Sequence, residues 1–261
     1  VRSSIAVVNT TPSVSGKDMP SNEELKYMIK YHNSAQNRCV TVKDYEDRIL
    51  LLPPKYGTPF RVGVMEENNK IMVYLLGLDY QGKLDTLLPV TLINNIKDWL
   101  SAYKMVNDYV EIKSGRIINL AFDVDLIMDK NYNKSDVVRT VIETVRDYMD
   151  INKHRMGEEI YIGDLEKEIS KIDGVINMIA LRVYNIHGTV EDKKYSDTLI
   201  GQEITTIDTT CNIDEAIDYL GNANKDLVDL DATDGILYND GDQMMEIKYP
   251  EEDIIVRVKT R

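Results

Sequence analysis

Few residues in this chain have the types and spacing that reactive chemistry requires. Its histidines are His32, His154 and His187. None has another His, a Cys or a carboxylate pair at a metal-ligand spacing such as i and i+4 on a helix. A catalytic imidazole also needs a positioned proton partner, so the three read as structural or surface residues. Cys39 and Cys211 are far apart, and Cys39 has only Arg38 as a basic neighbour in sequence. A nucleophilic thiol needs a depressed pKa and a base, and a cysteine without them packs as a small apolar group. Two widely separated cysteines are also no disulfide framework. In Ser13–Met19 the pair Gly16-Lys17 lacks the first glycine and the following hydroxyl of a phosphate loop, so nothing would cradle a phosphate or ligate magnesium.

The acidic run Asp229, Asp231, Asp234, Asp240 and Asp242 invites a calcium reading. Counted from Asp229, Asp234 holds the sixth place and Asp240 the twelfth, where an EF-hand loop needs glycine and a bidentate glutamate. It reads as a solvated acidic loop. The 44 acidic residues bring some carboxylates close together, which is the minimum for acid-pair glycoside hydrolysis. One Trp and two Phe make few sugar platforms, although 16 Tyr compensate in part. The sequons at Asn9 and Asn133 matter only in a secretory context. The reading is therefore of a protein without catalytic residues, cofactor-binding residues or a metal site.

The formal charge of the 261 residues is −13, and it is uneven: residues 188–261 hold 18 acidic and 7 basic side chains. A net negative chain repels a phosphate backbone, which argues against nucleic acid as a partner. No apolar run approaches the ~18 residues of a membrane span, and no basic-then-apolar leader opens the chain. The chain starts at Val1 rather than Met, as a processed product or an excised part would.

The elements that would position any site follow from periodicity. Ile5–Val8 reads as a strand and 9–20 as a linker rich in Ser, Thr, Gly and Pro. Ser21 with Glu24 forms a capping box for a helix striped by Leu25, Met28 and Ile29. A second helix starts at Thr41, carries Val42, Tyr45, Ile49 and Leu52 on one side, and stops at Pro53-Pro54. A strand around Phe60–Val64, a turn at Asn68-Asn69 and a continuously apolar strand Lys70–Leu78, covered on both faces, precede a helix from about Val90 to Val106. The order then repeats. Tyr109–Lys113 and Arg116–Met128 read as strands, the second with an alternation that implies one buried and one wet face. Ser135 caps a helix striped by Val138, Val141, Val145 and Tyr148. An edge strand Glu159–Ile162, a helix capped by Asp164 and ended by Gly174, and a strand Val175–Tyr184 follow. After Gly188 only a short helix over 214–220 and a strand Ile254–Val258 are expected.

The fold expected is α+β. Two small strand–strand–helix domains, sandwich-like with mainly antiparallel sheets, occupy 56–107 and 108–187. A helix–hinge–helix hairpin (21–55) precedes them, a strand and linker (1–20) open the chain, and an acidic irregular/β region (188–261) follows.

Two stretches carry a resemblance. In residues 23–50 a helix leads through the hinge Asn37-Arg38-Cys39-Val40-Thr41 to a helix opening with Asp44-Tyr45. In residues 157–178, Gly157-Glu158 leads through a strand with Tyr161 to a helix with Leu165 and on to Gly174-Val175. Together these resemble the J-like baseplate family of phage tails, and within it the baseplate wedge ring proteins of T-even contractile tails. The likeness covers about residues 20–185, and Gly163-Asp164 stands where the family more usually has Ser. It implies the C-terminal half of a longer, non-enzymatic virion protein, assembled in the host cytoplasm into the tail baseplate. Its implied partners are copies of itself and neighbouring wedge or tail proteins around the tail tube, with 9–20 as a hinge. Two other classes stay open: a host-glycan recognition module with a tyrosine-lined groove, and an acid-pair hydrolase.

Overall fold

The computed structural model describes residues 38–190, 193–200, 225–228, 230 and 234–260, together with 22, 25, 26 and 29. The strand at 5–8, the linker at 9–20, most of the helix from Ser21, the helix at 214–220, and His32, Asn37, Cys211, Asp229 and Asp231 lie outside the described residues. The chain has an α+β fold and divides into two compact units, Val1–Gly115 and Arg116–Arg261.

The first unit begins its described part with α1 (Val42–Leu50). The capping box that starts it uses Thr41 and Asp44. Thr41 Oγ1 accepts the Asp44 N–H at 3.3 Å, while Asp44 Oδ2 accepts the N–H groups of Thr41 at 2.8 Å and Val40 at 3.0 Å. After a 3-10 turn at Pro54–Tyr56, β1 (Arg61–Glu67) pairs antiparallel with β2 (Lys70–Leu78). Asn68 and Asn69 both take positive φ, 50° and 62°, which is what a two-residue hairpin loop demands and asparagine tolerates. The short β3 (Leu84–Asp85) extends β2, and α2 (Val90–Ser101) carries the chain to β4 (Tyr109–Ser114), which runs parallel to β2. Tyr45 and Ile49 of α1 and Leu92, Ile96 and Leu100 of α2 share one core with Val62, Val73 and Leu75. The other face of β2 is buried too, through Met72, Tyr74 and Leu76, as its unbroken apolar run implies.

α2 stops at Ser101 rather than near Val106, which is 98% exposed. The Leu100 carbonyl accepts both the Tyr103 and the Lys104 N–H, which tightens the last turn. The loop that follows brings Asp108 to the Tyr45 hydroxyl, which donates to its Oδ2 at 2.5 Å.

The second unit is built on β5 (Arg116–Met128). α3 (Lys134–Tyr148), β6 (Ile160–Tyr161), α4 (Ile162–Ser170) and β7 (Val175–Ile186) follow. Then come the small hairpin β8 (Thr189–Val190) and β9 (Lys193–Lys194), β10 (Lys225–Leu227), β11 (Ile236–Leu237), β12 (Gln243–Glu246), α5 (Pro250–Asp253) and β13 (Ile254–Thr260). β7 lies antiparallel to one side of β5 and carries β10 at its far end. On the other side of β5, β12 pairs with residues 116–119 and β13 with residues 122–128, both parallel. The pairings overall remain mainly antiparallel, but residues 243–260, read from sequence as part of an acidic region apart, complete this sheet.

Several boundaries differ from the sequence reading. Asn133, not Ser135, caps α3, its Oδ1 accepting the Ser135 N–H at 3.1 Å. The buried stripe of α3 consequently runs through Val137 rather than Val138, with Val141 and Val145. Asp164 lies in the first turn of α4 and pairs with Lys167 at 2.7 Å instead of capping, because the helix already starts at Ile162. The edge strand shortens to Ile160–Tyr161. α3, α4, Ile160 and Leu237 seal one face of the sheet against Ile118, Leu120, Phe122, Val124, Leu126 and Met128.

One glycine shows how closely this unit is packed. Gly157 has φ +73°, and a Cβ there would lie 2.8 Å from the Gly241 Cα, a backbone atom that cannot rotate away. Gly82 has a similar φ of +78° with nothing within 4 Å of such a Cβ. Gly157→Ala is expected to destabilise by about 2–4 kcal/mol, combining strain with a forced shift. Gly82→Ala is expected to cost about 1–2 kcal/mol from its backbone conformation alone. Urea unfolding of both variants reads the difference, and equal costs would refute the close-packing account.

Candidate functional site

The alternation along β5 places Asn119, Ala121, Asp123 and Asp125 on the face away from the helices. This face is not wet: Asn119 is 0% and Asp123 3% exposed. A buried polar group must find partners or cost free energy, and here they come from three directions.

At the Asn119 end, residues 193–200 form a strap across the sheet. Asn119 Oδ1 accepts the Ser196 N–H at 2.7 Å, and its Nδ2 donates to Glu246 Oε1 of β12 at 2.9 Å. Asn185 of β7 holds the next turn: its Oδ1 accepts the Ile200 N–H at 3.0 Å and its Nδ2 donates to the Asn119 carbonyl at 3.1 Å. Tyr195 packs edge-on against Tyr249, with ring centroids 5.3 Å apart, and its hydroxyl donates to Asp253 Oδ1 at 2.8 Å. Asp253 Oδ2 accepts the Tyr249 N–H at 2.8 Å, so one carboxylate ties strap, loop and α5 together. Burial holds the Asp253 carboxyl above its ordinary value of 3.8, against the pull of those two hydrogen bonds and of Lys225 and Lys193. Lys193 also pairs with Glu252.

At the other end, charge replaces the strap. Asp123 and Asp125 lie between Arg182 of β7 and Arg257 of β13. Arg182 Nη1 is 2.9 Å from Asp125 and 3.5 Å from Asp123; Arg257 reaches Asp123 at 3.0 Å and Asp125 at 3.7 Å. The Asp125 hydrogen bond pushes Arg182 further up from its ordinary value, so it stays cationic. Two arginines thus stitch β7 and β13 across β5. A third pair lies at the start of β5, where Arg116 grips Asp242 with Nε at 2.6 Å and Nη2 at 2.9 Å, the bidentate form of a guanidinium–carboxylate contact.

The sequence-predicted positions fall into both units. Arg38 is exposed, Cys39 is buried and Val40 is exposed. The Cys39 N–H donates to the Tyr103 carbonyl at 2.9 Å, and burial pushes its thiol up to about 11 against the opposing pull of Arg48. That thiol is a packing group. Thr41, Asp44 and Tyr45 build the cap and core described above. Burial, followed by the Asp108 contact, pushes the Tyr45 phenol up as well. In the second unit Gly157 allows close backbone approach, Glu158 accepts the Arg155 N–H at 2.6 Å, and Leu165 is buried in the core. Tyr161 is exposed, with its hydroxyl donating to Glu159 at 3.0 Å. Gly174, at φ +93°, turns the chain into Val175 and lies against the Tyr132 ring. None of these positions assembles a reactive group.

The acidic loop needs correction: Asp242 is buried and ion-paired, whereas Asp234 and Asp240 are exposed. His154 Nε2 contacts the Tyr148 carbonyl at 2.7 Å, and His187 Nε2 lies 3.3 Å from Asp226. Among the described residues no three His, Cys, Asp or Glu side chains group as a metal would require, and no described helix is long and apolar enough to cross a membrane. Sequence reasoning missed Asn119, Asn185, Asp253 and the paired arginines. The available signal is the polar alternation in β5, which by itself does not distinguish solvent from buried partners.

No protein-family model matches this chain, and no curated protein does. Among the solved structures that match is a chain of the anti-feeding prophage baseplate, seen by cryo-EM with six-fold symmetry imposed. The likeness has 14% sequence identity and a TM-score of 0.44, and it covers 63% of this chain and 37% of that one. This chain therefore matches little more than a third of that neighbour's length.

Two expectations follow from the polar face. Asn119→Ala removes the acceptor for Ser196 and the donor for Glu246, leaving buried groups unpaired, and should cost about 2–4 kcal/mol; amides of residues 195–200 should then exchange with solvent faster than those of α3. For Asp253 the sign runs downward. Its folded pKa is raised, so the folded state binds the proton more readily, and stability falls as pH rises from 3.8 through the raised value. Asp253→Asn removes the charge: its Oδ1 can still accept the Tyr249 N–H, while its Nδ2 must donate to the Tyr195 hydroxyl oxygen, reversing that bond. Its stability relative to the parent should be most favourable at neutral pH and decline on acidification; a difference independent of pH would contradict this.

Proposed function

We propose that this chain is a structural subunit of a phage-tail-like baseplate. It assembles with copies of itself and with neighbouring wedge proteins around a tail tube, and its location is the tail baseplate of the particle. The observation that carries the reading is a set of large apolar side chains left exposed in the first unit. Leu87 is 80%, Tyr80 76% and Val90 70% exposed, alongside Val106 in the same unit. Burial of these side chains against a partner would withdraw their apolar area from water. The resemblance of residues 23–50 and 157–178 to the J-like baseplate family supports the same reading. Of the described matching positions, Cys39, Thr41, Asp44, Tyr45, Gly157, Leu165 and Gly174 do fold-building work, as in a subunit whose function lies in its interfaces.

The reading is non-enzymatic. Its mechanics are rigid-body: packed subunits change their mutual angles when a tail fires. The test is immuno-electron microscopy of particles from the producing cells, using antibodies against this chain. Label at the baseplate end of tail-like particles is expected. Label confined to the soluble fraction, with unlabelled particles, would overturn the proposal.

A further inference from the structure

The two sides of the second unit differ in chemistry. One face of its sheet lies under α3 and α4. The other is covered by the 193–200 strap at the Asn119 end and is open toward Met128. There Ile255, in register with Asp123, is exposed, and Ile127 is half-buried. Two register shifts in β7 leave Ile179 and Ile176 without cross-strand partners, and both are exposed beside this face. A bulge breaks the alternation that would otherwise draw such residues into the core.

The charges on the open face are layered. The Asp123 side chain is 4% exposed, whereas that of Arg257 is 51% exposed. Lys259, in register with Ile127, is also exposed. The carboxylates are sunk into the sheet and the cations stand outward. The exposed isoleucines thus flank a layer of ion pairs over Asp123 and Asp125, from which Arg257 and Lys259 stand outward, in a chain whose net charge is −13.

The helix-bearing side has the opposite character. Tyr161 and Tyr238 are exposed at the paired β6 and β11. Glu159, Asp164 and Asp234 are exposed nearby, Glu166 is exposed further along α4, and Lys167 is held by Asp164. The hydrogen bond from the Ile162 N–H to the Gly235 carbonyl, at 2.9 Å, brings Asp234 to the first turn of α4.

We propose that the open sheet face receives the tyrosine- and carboxylate-bearing side of a second copy of this chain. The proposal rests on the assembly reading above and names its surface. Tyrosine rings would cover the flanking isoleucines, and Lys259, with the outward edges of the paired Arg182 and Arg257, would meet the carboxylates. Two open faces brought together would instead oppose like charges, so the contact is head to tail. Because the two patches lie on opposite sides of one unit, the contact repeats, and repetition closes into a ring when the rotation permits.

Sedimentation velocity of the full chain, over a range of concentration, tests this. The parent chain should self-associate. Lys259→Glu and Glu166→Lys should each weaken association about tenfold or more, a loss of about 1.4 kcal/mol or more. Mixing these two variants should restore association through alternating copies, since one contact joins the two unchanged patches and the other pairs the two reversed charges. The chain carrying both changes should recover association with itself. Circular dichroism and melting of each variant separate misfolding from loss of contact. If the parent associates but neither variant alters it, this surface is wrong and the assembly reading stands. A parent chain that stays monomeric at every concentration would overturn both.

Discussion

The second unit depends on β5 being buried on both faces by different means. Toward the helices the requirement is ordinary: apolar side chains at every second position meet the stripes of α3 and α4. Away from them the strand carries Asn119, Asp123 and Asp125, and a buried polar side chain is tolerated only when its hydrogen-bonding capacity is met. The strap and the paired arginines follow from that constraint, as partners the strand needs, and each comes from a segment distant in sequence; Asp253 in turn holds the strap. Geometry is thereby fixed more tightly than apolar packing alone would fix it, because hydrogen bonds and bidentate ion pairs tolerate little displacement.

The first unit solves a similar problem at smaller scale. Its second strand is apolar on both sides, so no buried polar layer is required there. The polar interactions gather at the edges of the core. The capping box closes the start of α1, and Tyr45 reaches out of the core to Asp108. Trp99 donates its indole N–H to the Arg48 carbonyl at 2.9 Å, while the Arg48 guanidinium lies 4.0 Å over the Tyr103 ring. Three elements are thus joined at one end of the helix pair by groups that keep an apolar body inside and a polar tip at the boundary.

Much of this was legible in sequence because it is local. Thr41 with Asp44, the Asn68-Asn69 turn, the unbroken apolar run of β2 and the glycine at 174 each specify their structure within a few residues. The candidate face was not legible, for a physical reason. Alternation along a strand reports that its two sides differ, and says nothing about whether the polar side meets water or buried partners. Asn119 and Asp123 look like surface residues until Ser196, Arg182 and Arg257 are known to face them. The parallel pairing of β12 and β13 with β5 was hidden in the same way, since no local pattern announces a neighbour drawn from another part of the chain. Asp242 shows the error in miniature: within an acidic run it reads as solvated, and Arg116 makes it internal.

The parallel placement of β13 also affects how the chain matures. Phe122 waits for Ile254, and Met128 for Thr260. On a ribosome, the side of β5 that takes β13 is a bare row of amide and carbonyl groups while all the intervening residues are made. Long-range parallel pairing is slow to form, and unsatisfied strand borders recruit wrong neighbours. The last stretch of the sheet to be made is therefore the one that closes this border of β5.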